Sequence, residues 1–513
     1  MNESTERRRL TRRVGLALLA GAGATAMVAA VVAFSVGYGT TVGANVLVNK
    51  GQVIDANNSP AVARNPRRPQ NLVVVQRIDS PSFSALLEAS FDGGATWATQ
   101  SLPLPEGADR PFAPDVAFGP DGTLYVLYVN LEGVGNTPAN LWLATSHDGG
   151  RTLSNPAHVA GKLCFQARLA VDGRGTIYLT WLQAGAVGLF SLGASPAPLV
   201  SARSTDGGHS FSPPSPISDP GRTRVGAATP TVDSAGRLVV LYEDFKRDAR
   251  DFENLDGPPA EDPFALVVTR SDDGGQSFSP GVELDAGVVA TGRFVAFLPP
   301  FPSLAAGPGS ALYVTWADGR DGQDSVMLRR STDGGTTWSP RVRVRGGDGS
   351  SLALPRAAVA ANGRVDVLFL ERRPQPTTAS TPNNNNTNAY VASSGDGGRT
   401  FGARRVSSQA FDSGIGVGTP HGGPDFGTRL ALDDHGNQTF AAWTDTRLGT
   451  RETGRQDIAG VVIRHLPVWP IVVWPVLAGL VVLGGLGNIS RRLAATRSLA
   501  KGFAEEVPAS ADP

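Results

Sequence analysis

Three arginines open matching runs of this chain. Arg168 begins RLAVDGRGTIYLTW (168–181), Arg356 begins RAAVAANGRVDVLF (356–369) and Arg429 begins RLALDDHGNQTFAAW (429–443), each closing on an aromatic residue. A guanidinium holds a carboxylate through two parallel hydrogen bonds, so several of them converging would make a pocket for an anionic sugar. A second pattern lies two places beyond the aromatic, where Asn130, Gln183, Asp244, Asp318, Glu371 and Asp445 stand. Basic residues follow in Asp318-Gly319-Arg320, Asp445-Thr446-Arg447 and Asp244-Phe245-Lys246. Asp244, Asp318 and Asp445, with Tyr242 and Glu243, are the candidates for acid–base or nucleophilic chemistry. Arg320 and Arg447 join the first three arginines as candidate ligand-binding residues. The competing expectation is that these acids and bases pair between neighbouring units and only fix the loops.

The positioning elements are repeats. Six octapeptides punctuate the chain: SFDGGATW (90–97), SHDGGRTL (146–153), STDGGHSF (204–211), SDDGGQSF (271–278), STDGGTTW (331–338) and SGDGGRTF (394–401). Their starts lie 56, 58, 67, 60 and 63 residues apart. Self-similarity at a nearly fixed period signals a repeat architecture. β-type runs flank each copy, so the Asp-Gly-Gly core reads as a hairpin turn: glycine supplies positive φ and the aspartate accepts hydrogen bonds from turn amides.

The octapeptide resembles the Asp box, or BNR repeat, of the sialidase superfamily, S/T-x-D-x-G-x-T-W/F, with the aromatic absent only at Leu153. The resemblance implies an all-β propeller in which Asp92, Asp148, Asp206, Asp273, Asp333 and Asp396 are structural, since a turn repeated six times cannot be one active site. It does not extend to the catalytic set. The Arg-Ile-Pro motif of sialidases is missing, Arg64-Asn65-Pro66 standing in that region, and Tyr242-Glu243 falls on the fourth repeat, where the nucleophile is not expected.

Seven strand 1–2 hairpins can be counted, but only six strand 4s follow a strand 3. Asn45–Ile54 can supply the missing one, so that the N-terminal strand completes the last blade and removes two exposed edges. Seven blades are therefore expected, with six the alternative. The length agrees, since residues 45–465 number 421, close to seven units of about 60.

Outside the repeats stand two charge-poor apolar segments, 14–36 and 467–489, expected to form one transmembrane helix at each end, with a cleaved leader the alternative for the first. Basic residues precede the first (tail 1–13) and follow the second (tail 490–513), which by the positive-inside rule puts both tails in the cytoplasm and the propeller, 45–465, outside it. The formal charge is zero, from 46 basic and 46 acidic residues, which argues against a nucleic-acid partner. A single cysteine, Cys164, excludes an internal disulfide and a cysteine metal site; no metal or cofactor is expected. The long loops lie opposite the octapeptide turns, and a carbohydrate or protein ligand is expected on that face. Two functions follow: a membrane-tethered sialidase-like propeller that binds or cleaves glycans, or a non-enzymatic scaffold of the cell envelope.

Overall fold

The computed structural model describes residues 40–49, 54–185, 197–246, 263–289, 291, 301–374, 385–416 and 425–465. They form seven antiparallel sheets in a compact unit, Thr41–His465, and the protein is a seven-bladed β-propeller. Blades 1 to 6 occupy residues 57–101, 111–160, 164–216, 225–288, 303–346 and 351–412, and blade 7 occupies 431–465 together with 40–47. Among the described residues there is no helix long and apolar enough to cross a membrane; segments 14–36 and 467–489 lie outside those residues.

The order within each blade is a meander, strand 1 innermost and strand 4 outermost. Strand 2 of blade 4, Leu238–Asp244, is buried at every position, because neighbouring blades cover both its faces. The outer strand of blade 1, Ala98–Ser101, reads Ala-Thr-Gln-Ser and is mainly exposed. The core therefore lies between blades: Leu127 and Leu143 of blade 2 pack in one cluster with Leu179 and Trp181 of blade 3.

Closure runs as expected, with a shift. The N-terminal strand pairs with the last strand of blade 7, but as Thr40–Val42 and Val46–Leu47, beginning five residues before the expected Asn45. Asn49 locks it in place: its Oδ1 accepts from the Ile458 amide at 2.7 Å and its Nδ2 donates to Asp457 at 3.2 Å.

Each octapeptide forms the same 3–4 turn. In Ser331–Trp338 the Ser331 hydroxyl accepts from the Gly335 amide at 2.9 Å and donates to Asp333 Oδ1 at 2.7 Å. That oxygen also accepts from the amides of Thr336 and Thr337 at 3.0 and 2.9 Å, and the Thr337 hydroxyl donates to Asp333 Oδ2. Gly334 and Gly335 sit at φ +72° and +88°, where a side chain is strained. The serine–glycine bond recurs in all six copies. Arginines just before the serine tie one turn to the next: Arg203 donates to the Gly274 carbonyl at 2.7 Å and Arg330 to that of Gly397 at 3.1 Å.

Candidate functional site

Strand 1 carries a feature that recurs around the ring. In blades 1, 2, 3, 4 and 6 its pairing with strand 2 slips at a bulge, after Asn58, Phe112, Phe165, Gly226 and Ala353. Each bulge holds a non-glycine residue with φ between 48° and 56°: Ser59, Ala113, Gln166, Ala227 and Leu354. The residue two places later heads the resumed ladder, and those residues, Ala61, Asp115, Arg168, Thr229 and Arg356, all line one axial cavity. Ser303 takes the place in blade 5, opposite Thr315 as Arg356 is opposite Leu368. A bulge re-aims the side chain that follows it, and here it does so toward the axis.

The cavity measures about 50 Å³ and is lined by those residues together with Phe301, Pro302, Arg429 and a few apolar neighbours. It lies toward the starts of the inner strands, away from the octapeptide turns. The three arginines singled out in the sequence are brought together here. Arg429 is displaced from the matching position, because Ala431, not Arg429, stands opposite Ala442, the residue before the aromatic of strand 2. It reaches the cavity nonetheless.

Arg429 is held from three directions. It donates to Asp115 Oδ1 at 3.1 Å, to the Ser59 carbonyl at 3.3 Å and to the Pro114 carbonyl. Asp115 also accepts the Leu169 amide at 3.1 Å, so both its oxygens are engaged. Arg168 donates to the Ala167 carbonyl at 2.8 Å and lies 5.0 Å from the centre of the Phe301 ring. Arg356 has no hydrogen-bond partner among the described residues. Three guanidiniums and one carboxylate line the cavity, a balance of +3 − 1 = +2 among the described residues. Burial, with Arg429 alongside and Arg356 near, pushes Arg168 well below the ordinary guanidinium value. Burial also lowers Arg356 and Arg429. Arginine keeps its proton at neutral pH even so, and the strain appears as stored repulsion.

No protein-family model matches this chain, and no curated protein does. Solved structures align with it at low identity. A Dyadobacter fermentans protein of unknown function aligns at 12% identity over 83% of this chain and 100% of its own, TM-score 0.46. The phage phi92 endosialidase aligns at 11% over 83% and 69%, TM-score 0.45. An α-L-arabinofuranosidase of Fusarium graminearum aligns at 14% over 70% and 95%, TM-score 0.41.

The remaining sequence candidates do not reach the cavity. Tyr242 is fully buried in the core between blades 3 and 4, and burial raises its phenol well above the ordinary value. Glu243 is 1% exposed, and Asp244 accepts from Arg222 and the Lys246 amide. The polar residue after strand 2 caps the aromatic before it. Trp181 donates to Gln183 at 2.9 Å, Trp316 to Asp318 at 3.1 Å and Trp443 to Asp445 at 2.9 Å. Two residues apart on a strand share one face, which is why this spacing recurs. Arg320 donates to Asp318 and, across to blade 4, to Asp285, both at 2.7 Å. Arg447 donates to Asp445 at 2.9 Å and to the Ser408 hydroxyl at 2.6 Å. Arg64 pairs with Asp433 of blade 7. Among the described residues no group of three or more His, Cys, Asp or Glu could hold a metal.

Asp115 is the residue that sequence reasoning missed. A usable signal stood beside it: Pro60, Pro114 and Pro355 each precede a cavity-lining residue. Proline inside a strand pattern marks a bulge or an edge.

Proposed function

We propose that this protein is a propeller tethered to the cell membrane at both ends, facing outward, which binds an anionic glycan at its axis through Arg168, Arg356 and Arg429. The observation that carries the reading is the charge of the axial cavity, where three guanidiniums face a single carboxylate that Arg429 already engages. Guanidinium groups taken out of water require anionic partners, and a ligand acid supplies one.

Binding fits this site better than cleavage. A retaining or inverting glycosidase sets two carboxyl groups about 5–9.5 Å apart around one sugar. Of the described residues, Asp115 alone lines the cavity as a carboxylate, and both its oxygens are occupied. Tyr242, the candidate nucleophile, is sealed within the core.

The test is a titration of the full-length protein in detergent with glucuronides and sialosides, each beside its neutral counterpart. Anionic glycans should bind at least tenfold more tightly, without turnover. Equal affinity for charged and neutral partners would remove the reading, and hydrolysis of either would replace binding with catalysis.

A further inference from the structure

The charge and size of the axial cavity narrow the ligand further than "anionic". We infer that the cavity takes a tetrahedral dianion, the phosphate of a sugar monoester or a free phosphate or sulfate ion, in preference to a monocarboxylate. This rests on the reading of the axis as an anion site and adds the chemical class of the anion.

Charge is the first argument. The lining carries three guanidiniums and one carboxylate, an excess of two positive charges among the described residues. A monocarboxylate leaves one guanidinium uncompensated in a buried site, whereas a dianion balances the set.

Size is the second. A cavity needs roughly 10–15 Å³ for each water-sized group, so the observed 50 Å³ admits three to five such groups. Four oxygens around one centre fit that space. A pyranose ring does not, so a sugar would have to remain outside with only its acidic substituent inside.

Donor geometry is the third. Arg429 spends three of its five N–H groups on Asp115 and two carbonyls and so offers a ligand the fewest donors of the three. Arg168 spends one N–H on Ala167, and Arg356 spends none on the described residues. They stand on blades 3 and 6, so their forks approach from different sides of the ring. Ser303, on blade 5, accepts the Ala357 amide at 3.0 Å through Oγ and keeps its own proton to donate. Two forks and a hydroxyl from three blades offer more donors than the two oxygens of a carboxylate can accept in one plane. A tetrahedral oxyanion presents acceptors in all these directions.

The test uses the full-length protein in detergent, titrated calorimetrically with inorganic phosphate, sulfate, a hexose monophosphate, glucuronate and acetate at pH 8 and pH 5. Phosphate and sulfate at pH 8 should bind at least tenfold more tightly than acetate or glucuronate. Phosphate and the hexose monophosphate should both weaken several-fold at pH 5, where the second ionisation, near pH 6 for a monoester and higher for the free ion, is reversed. Sulfate should hold its affinity, since the described lining contains no histidine to titrate in that window. Arg356→Gln should reduce dianion affinity at least tenfold, and Arg356→Lys, which keeps the charge without the fork, by a smaller factor. A hexose monophosphate that binds as tightly as phosphate assigns the site to the ester; phosphate and sulfate binding alone assigns it to the free ion. Acetate or glucuronate binding as tightly as phosphate overturns the dianion assignment while leaving the axial anion site standing. No binding of any of the five overturns both.

Discussion

Arg429 of the last blade and Asp115 of the second are 3.1 Å apart, joined across the intervening first blade. The span is open because blade 1 contributes Ala61 to the cavity lining, a side chain too short to fill it. With the Ser59 carbonyl of blade 1 also accepting from Arg429, this one guanidinium ties together three consecutive blades. The side chains of the ion pair are 8% and 13% exposed, so it sits where breaking a pair is expensive. Asp115→Asn should destabilise the protein by about 3–5 kcal/mol, by leaving Arg429 without its counter-charge. The double variant Asp115→Leu, Arg429→Met should recover most of that loss. Chemical denaturation checks both, and a double variant no more stable than the single one would contradict this account.

Within an octapeptide, serine should matter more than aspartate. Ser331 is 2% exposed and its Oγ is the acceptor for the Gly335 amide, so Ser331→Ala leaves that amide unsatisfied, at about 1–3 kcal/mol. Asp333 is largely solvated, and water can replace it, so Asp333→Ala should cost the smaller amount. Thermal unfolding of the two variants gives the order directly.

The same turn has a defined acid limit. The Thr337 hydroxyl and amide, with Ser331, hold Asp333 at about 2, below its ordinary 3.8. A depressed folded value means that the stabilisation is complete above the unfolded value and disappears as pH falls through the folded one. Wild type should therefore lose this contribution between about pH 4 and pH 2. The stability difference between wild type and Asp333→Asn should be constant above pH 4 and shrink below it; a difference that changes between pH 5 and 7 would show that another group is responsible.

Asn49 should govern the closure. Asn49→Ala removes the acceptor of the buried Ile458 amide, for about 1–3 kcal/mol. Exchange of the Ile458 amide should accelerate while that of strand 2 in blade 4 stays as in wild type. Equal acceleration everywhere would mean that the ring opens only by global unfolding.

The proposed tethering fixes an orientation. The last strand ends at His465, whose amide donates to Asn437 in the 1–2 turn of blade 7, and the Gly43 amide beside the first strand donates to Val462. Both ends of the propeller thus leave on the face of the octapeptide turns. That face should lie toward the bilayer. In a Cys164→Ser background, Val134→Cys on an exposed 2–3 loop should react with an impermeant maleimide faster than Thr332→Cys in an octapeptide. Cys164 itself is buried, its thiol pushed up to about 12, and contributes little background. The reverse order of rates would reject the orientation.

The repeat was legible because each octapeptide is a self-contained hydrogen-bonded unit: Ser331, Asp333, Gly335 and Thr337 satisfy one another within eight residues, so type and spacing carry the structure. The blade count followed from the same periodicity. The site was legible only in part. Arg168 and Arg356 occupy equivalent rungs, but the turn of blade 7 is tighter, His435 pairing with Gln438 where Val171 pairs with Ile177, so that Ala431 takes the matching rung and Arg429 falls two places before it, which the lengths of the runs do not reveal. Ala227 and Leu354 adopt positive φ although neither residue type favours it, so the bulges that aim the lining are imposed by tertiary packing. Tyr242 looked reactive for its neighbours, Glu243 and Asp244; its burial depends on blade 3 packing over strand 2, which local sequence does not report.

The axis holds positive charge that the described residues leave uncompensated. The measurement that tests it most directly is urea unfolding of full-length wild type and Arg356→Gln, each in low-salt buffer and with added sulfate. In low salt the variant should match or exceed wild type, because a repulsive charge has been removed. Sulfate at 100 times its dissociation constant should stabilise wild type by about 2.7 kcal/mol. It should add much less to the variant, which also controls for the general salting effect of sulfate. A variant that is weaker than wild type by the same amount in both buffers would contradict the claim and make Arg356 a structural residue.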